Sequence, residues 1–109
     1  MLVCRGPVRP TPMNDVYEAR IEYATGAVPV TFIDSPALQR RDPEERIPHT
    51  YQGDRPCLFR RDFKPDSKIA TTVVPWLMYW LFFYESWFVT GEWQGGGEHP
   101  GPLENEAAA

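Results

Sequence analysis

Pro75-Trp76-Leu77-Met78-Tyr79-Trp80-Leu81-Phe82-Phe83-Tyr84-Glu85-Ser86-Trp87-Phe88-Val89-Thr90-Gly91 is the stretch that decides the fold. Pro75 suits a first helical turn, where its missing N–H costs nothing, and Gly91 readily takes the left-handed conformation that ends a helix. Together they frame a helix of about four turns. Trp76, Trp80, Phe83 and Trp87 recur at helical spacing, and Leu77, Leu81, Tyr84 and Phe88 form an adjacent stripe, so the apolar surface is wider than on an ordinary amphipathic helix. One sheet covers only part of such a surface, and the remainder must meet another segment, a missing piece of the domain or a partner chain. No polar pattern interrupts the aromatics, which therefore read as core rather than as a cofactor box. Glu85 is the only charge before the helix ends.

Upstream, Tyr17-Glu18-Ala19-Arg20-Ile21-Glu22-Tyr23 alternates apolar with charged residues and predicts a strand with Tyr17, Ala19, Ile21 and Tyr23 on one face. Ala24 to Ala27 supplies turn chemistry and Val28 to Ile33 a second β-branched run, so the two segments read as an antiparallel hairpin. Pro7, Pro10 and Pro12 restrict Met1 to Pro12 to an extended arm or an edge strand at the sheet margin. From Asp34 to Pro56, charge, proline and glycine predict an irregular exposed connection.

The chain has 109 residues, 42% of them hydrophobic and 14% aromatic, which suits one small domain. A net charge of -4 and a pI of 5.1 argue against a nonspecific nucleic-acid binder. Arg40, Arg41, Arg55, Arg60 and Arg61 bracket Cys57, as a solvated loop rim or a basic patch. Ile69 to Tyr84 is apolar but falls short of the roughly twenty residues of a membrane span and is broken by Pro75. With two cysteines and no apolar leader at Met1 to Pro7, a reducing cytoplasm is the expected setting.

Chemistry concentrates around Cys57. A thiolate attacks carbonyl carbon far better than a thiol, and Arg55, Arg60 and His49 are the neighbours in sequence that could favour ionisation. The competing reading is a buried small hydrophobe. Cys4 lacks such a loop and reads as structural. His49 could orient the loop through a backbone hydrogen bond or act directly on a proton. Glu98-His99 follows Gly95-Gly96-Gly97, either as a general base for an incoming amine or as part of a solvated tail. A zinc site of Cys4, His49, Cys57 and His99 lacks the paired spacing of a knuckle.

The order of strands, His49, Cys57 and a long crossover helix resembles the core of a ubiquitin-conjugating enzyme. It is similar, more narrowly, to the short ubiquitin-conjugating-like proteins of bacterial antiphage CBASS operons, which travel with a cGAS-like nucleotidyltransferase. Pro48-His49-Thr50-Tyr51, Cys57-Leu58-Phe59, Ile69 to Trp76, Trp80 to Glu85 and Thr90 to Pro100 carry the resemblance. It implies that Cys57 accepts a protein's C-terminal carboxyl group as a thioester and passes it to an amine, with the cGAS-like nucleotidyltransferase as cargo. His49 would buttress the loop, Glu98 or His99 would serve as general base, and an activating enzyme would be needed upstream unless the carried protein arrives already activated. No cofactor, nucleic acid or membrane is implied.

The sequence departs from the eukaryotic pattern in two ways. Thr50 and Tyr51 stand where an oxyanion-stabilising asparagine is expected, which leaves backbone N–H groups near Cys57 as substitutes. The chain also enters its strands almost at once and lacks the flanking helices, a shortening that would leave apolar surface on the Trp76 helix. The expectation is thus an α+β fold, with a small antiparallel sheet packed on one long crossover helix in a reduced ubiquitin-conjugating-enzyme-like domain over residues 1–100. An acidic, disordered tail would follow over residues 101–109. The rival expectation is a non-catalytic module of the same shape that docks a partner through its aromatic helix.

Overall fold

The computed structural model describes residues 1–24, 28–58 and 73–95. Its elements are β1 (Leu2–Val8), β2 (Tyr17–Tyr23), β3 (Val30–Ser35), the two-residue strands β4 (Thr50–Tyr51) and β5 (Arg55–Pro56), and α1 (Val74–Thr90). This is an α+β architecture.

β1, β2 and β3 form an antiparallel sheet in chain order. Glu22 pairs with Val30, and Ala19 with Ile33, which makes β2 and β3 the hairpin that the alternation predicts. The register shifts between Glu18 and Ala19, so Asp34 is the extra residue. Its carboxylate is gripped by Arg20 at 3.0 and 3.2 Å, and Arg20 also pairs with Glu22. β1 takes the sheet margin, pairing Val8 with Tyr17 and Leu2 with Tyr23. The turn at residues 25–27 and the proposed tail at 101–109 lie outside the described residues.

The connection from Asp34 to Pro56 contains more order than its composition predicts. Thr50 pairs with Pro56 and Tyr51 with Arg55, closing a short hairpin. Its turn holds Gly53 at φ 81 and Asp54 at φ 56, both left-handed, and Arg40 pins Asp54 by two hydrogen bonds of 2.8 and 3.1 Å. Strands of two residues carry no alternation, so nothing in their periodicity marks them.

α1 begins with Pro75 in its first turn and ends at Gly91 in the left-handed conformation, whose N–H donates to the Trp87 carbonyl at 2.7 Å. Its buried residues are Leu77, Trp80, Leu81, Tyr84 and Trp87, which combine the middle of the two apolar stripes. They close on Tyr17 and Ala19 of β2 and on Ile47. Burying these side chains is the main favourable term for so short a chain, at about 1.5–3 kcal/mol for each large one. Phe88, at 39% exposed, falls outside this face.

Hydrogen bonds tie α1 to several other segments. The Tyr84 hydroxyl accepts from the Gln39 N–H at 2.8 Å, and Arg41 donates to the Phe88 carbonyl at 3.2 Å, so the long connection is fastened along the helix. Glu85 accepts from the Tyr17 hydroxyl at 2.8 Å and from the Asp15 N–H at 3.1 Å. Burial, and next the Glu85 carboxylate, hold the Tyr17 hydroxyl protonated well above the usual phenol range. Tyr17→Phe should therefore cost about 1.5–3 kcal/mol in urea unfolding, the worth of a hydrogen bond to a charged group. An unchanged midpoint would mean that the Tyr17–Glu85 contact contributes nothing.

Candidate active site

Ile47 to Leu58 builds the neighbourhood of Cys57. His49 is 8% exposed and sits at φ 52, a left-handed conformation that costs a non-glycine residue energy and persists only when its surroundings hold it. Two donors converge on its carbonyl. The Cys57 N–H donates to it at 2.9 Å, and so does the Trp80 indole N–H, also at 2.9 Å. One backbone oxygen thereby joins the cysteine segment to the middle of α1.

Thr50 is fully buried, and its hydroxyl donates to the Ile47 carbonyl at 2.7 Å. Arg46 donates to the Thr50 carbonyl. The Thr50 hydroxyl is thus committed inside the loop. The Cys57 N–H is likewise engaged with His49, which takes it out of the set of backbone groups considered as oxyanion donors. Leu58 packs against both core clusters, the one that holds Leu77 and Leu81 and the one formed by Ile21 and Val73.

Cys57 itself is half-buried at the end of β5. Arg55, one of its candidate cations, has its guanidinium over the rings of Phe32 at 5.8 Å and Tyr51 at 6.0 Å, and donates to the Gln52 carbonyl at 3.0 Å. Cys4 packs in the smaller core with Ile21 and Val73. Arg60, Arg61, Glu98 and His99 lie outside the described residues.

Burial lowers the pKa of His49 below the usual imidazole value. Its ring faces the Trp93 indole at 5.0 Å, and Trp93 in turn lies 5.5 Å from Trp80. Trp93 belongs to the segment after α1, and neither helical spacing nor alternation marks it in the sequence. Trp80 is visible there only as an apolar residue, whereas its indole N–H makes the decisive polar contact.

A family profile described as Type II CBASS E2 protein matches residues 1–100. The chain belongs to the type II CBASS E2 family. Membership places it among the conjugating-enzyme-like proteins of CBASS antiphage defence. No curated protein matches the sequence. Among the described residues of this CBASS E2 protein, no helix is long and apolar enough to cross a membrane.

Two measurements follow from the geometry. Trp80→Phe keeps an aromatic ring but removes the donor to the His49 carbonyl together with part of the buried indole, and should cost at least about 1–2 kcal/mol in urea unfolding. No loss would show that the indole bond is energetically idle. For His49, an unfolded-state pKa near 6.5 lies above the folded one, so the unfolded chain takes up the proton first. Stability is then fully present above about pH 6.5 and falls as the pH drops from there toward the folded pKa, at no more than about 1.4 kcal/mol per pH unit. His49→Asn should flatten this part of the profile, with His99 present in both proteins. Asp34, held below the usual carboxylate range by Arg20, titrates further down. Parallel profiles for wild type and variant would exclude the assignment.

Proposed function

We propose that this CBASS E2 protein is a thioester-forming transferase built on a ubiquitin-conjugating-enzyme-like core, with Cys57 as its nucleophile. The observation that carries the reading is the placement of Cys57, half-buried at a strand end, with its backbone N–H held by the His49 carbonyl. That arrangement fixes the peptide beneath the sulfur while leaving the residue partly open to solvent. In this reading His49 organises the loop and does not itself transfer protons, since protonating it would bring charge into a buried site.

The Cys57 thiolate attacks the activated C-terminal carbonyl carbon of a cargo protein. A C–S bond forms, and the activating group leaves with the electrons of its bond to that carbon. An amine then attacks the thioester, an amide forms, the Cys57 thiolate departs, and the amine proton passes to a base. Glu98 or His99 is the proposed base, and a backbone N–H other than that of Cys57 is the proposed oxyanion donor. The family's place in CBASS supports a cGAS-like nucleotidyltransferase as cargo, acting in the cytoplasm. A free carboxylate does not form a thioester without a coupled energy source, so an activating enzyme belongs upstream.

A second reading rests on the outward face of α1, where Tyr79 is 67%, Phe82 43% and Val89 79% exposed. Such a face suits a non-catalytic module that docks a partner. Mass spectrometry of the protein incubated with cargo, activating enzyme and ATP separates the two. The transferase reading expects a reductant-sensitive adduct on Cys57, a reductant-resistant ester on Cys57→Ser, and none on Cys57→Ala. Conjugation retained by Cys57→Ala, or no adduct on the wild-type protein, would leave the docking module.

A further inference from the structure

Beyond α1, Gly91 turns the chain back along the helix. A Cβ at Gly91 would lie 2.5 Å from the Arg41 guanidinium, and one at Gly95 would lie 2.6 Å from the Phe83 ring, so both glycines permit close approach. Between them, Trp93 sets its indole against His49 at 5.0 Å, Trp80 at 5.5 Å and Phe83 at 6.1 Å. Its indole N–H is buried and makes no hydrogen bond among the described residues. Buried indole donors ordinarily find an acceptor. No hydrogen bond, then, explains where this ring sits, and its packing does.

We propose that Trp93 is a positioning residue for Cys57: its ring closes the site over the His49 side chain and so fixes the peptide whose carbonyl holds the Cys57 N–H. The left-handed backbone at His49 requires support from its surroundings, and two such supports lie among the described residues. From α1, the Trp80 indole holds its carbonyl. From the returning segment, Trp93 covers its imidazole and keeps the site dry, in keeping with the lowered pKa of that ring. Removing Trp93 admits water to the imidazole and frees the 49–50 peptide to turn, which releases the Cys57 amide. That Trp93 serves the transfer reaction rests on the function proposed above; its hold on the Cys57 backbone does not.

The test reads the Cys57 amide by hydrogen exchange and the His49 ring by NMR titration, in Trp93→Ala and Trp93→Phe. Trp93→Ala should speed exchange at Cys57 by about tenfold or more while leaving the β2 amide of Ala19 protected, since a local opening exposes only its own segment. It should also raise the His49 titration midpoint toward the ordinary imidazole value. Trp93→Phe gives up the N–H and part of the indole's volume but keeps an aromatic ring against His49, and should hold both readouts close to wild type. If Trp93→Ala does not fold, Gly95→Ala, whose added methyl must displace Phe83 or the Trp93 segment, should shift the same two readouts in the same direction. A folded Trp93→Ala, or in its place a folded Gly95→Ala, with wild-type exchange and titration would overturn the proposal. So would a Trp93→Phe protein that behaves like Trp93→Ala. None of these readouts needs a thioester, so a wild-type protein that fails to load cargo refutes the function and leaves this test intact.

Discussion

The His49 carbonyl is the junction on which the rest of the site depends. It accepts from the Cys57 N–H and the Trp80 indole N–H, each at 2.9 Å, and so ties an irregular loop to the centre of the only helix among the described residues. A carbonyl oxygen has two lone pairs and can satisfy both donors at once. The cost is a non-glycine residue at φ 52, and that cost is met by the bonds and packing that converge there. Losing either donor would leave the carbonyl with the other and remove one of the bonds that hold this backbone conformation. The two contacts consequently support one another.

The same logic organises the whole interface between helix and sheet. α1 is apolar on nearly every side, so hydrophobic burial by itself gives little preference for one rotation of the helix over another. The polar tips supply that preference. Tyr84 reaches Gln39, Glu85 receives Tyr17 and Asp15, and Trp80 reaches His49. Rotating α1 by one residue, about 100°, would strand all three sets of groups. Burial supplies the driving force, and hydrogen bonds fix the angle.

This division explains which features are legible in the sequence. Tyr17 to Tyr23 declares its strand because one face is buried and the other charged, and Pro75 and Gly91 declare the helix ends because their backbone chemistry is local. The β4–β5 hairpin is too short to show a period, and its left-handed residues, Gly53 and Asp54, sit inside a run already rich in turn formers. The buried stripe of Leu77, Trp80, Leu81, Tyr84 and Trp87 is hidden because its neighbours are just as apolar. At the site, Cys57 and His49 stand out by residue type. Their joining through a backbone carbonyl is a tertiary fact, as is the return of Trp93, and no spacing rule encodes either.

A sulfur that meets two protein partners in turn, as proposed for Cys57, cannot be enclosed by walls, so whatever holds it has to come from beneath. In this chain the support is a backbone hydrogen bond into a patch of two indoles and a buried imidazole. Such a patch suits holding and not proton transfer, because charging His49 there would forfeit the desolvated state that lowers its pKa. If Cys57 carries an acyl group, the proton of the attacking amine must therefore leave by another route, on the solvent side of the sulfur. The site then separates into a rigid floor supplied by the folded core and a reactive edge open to the partners.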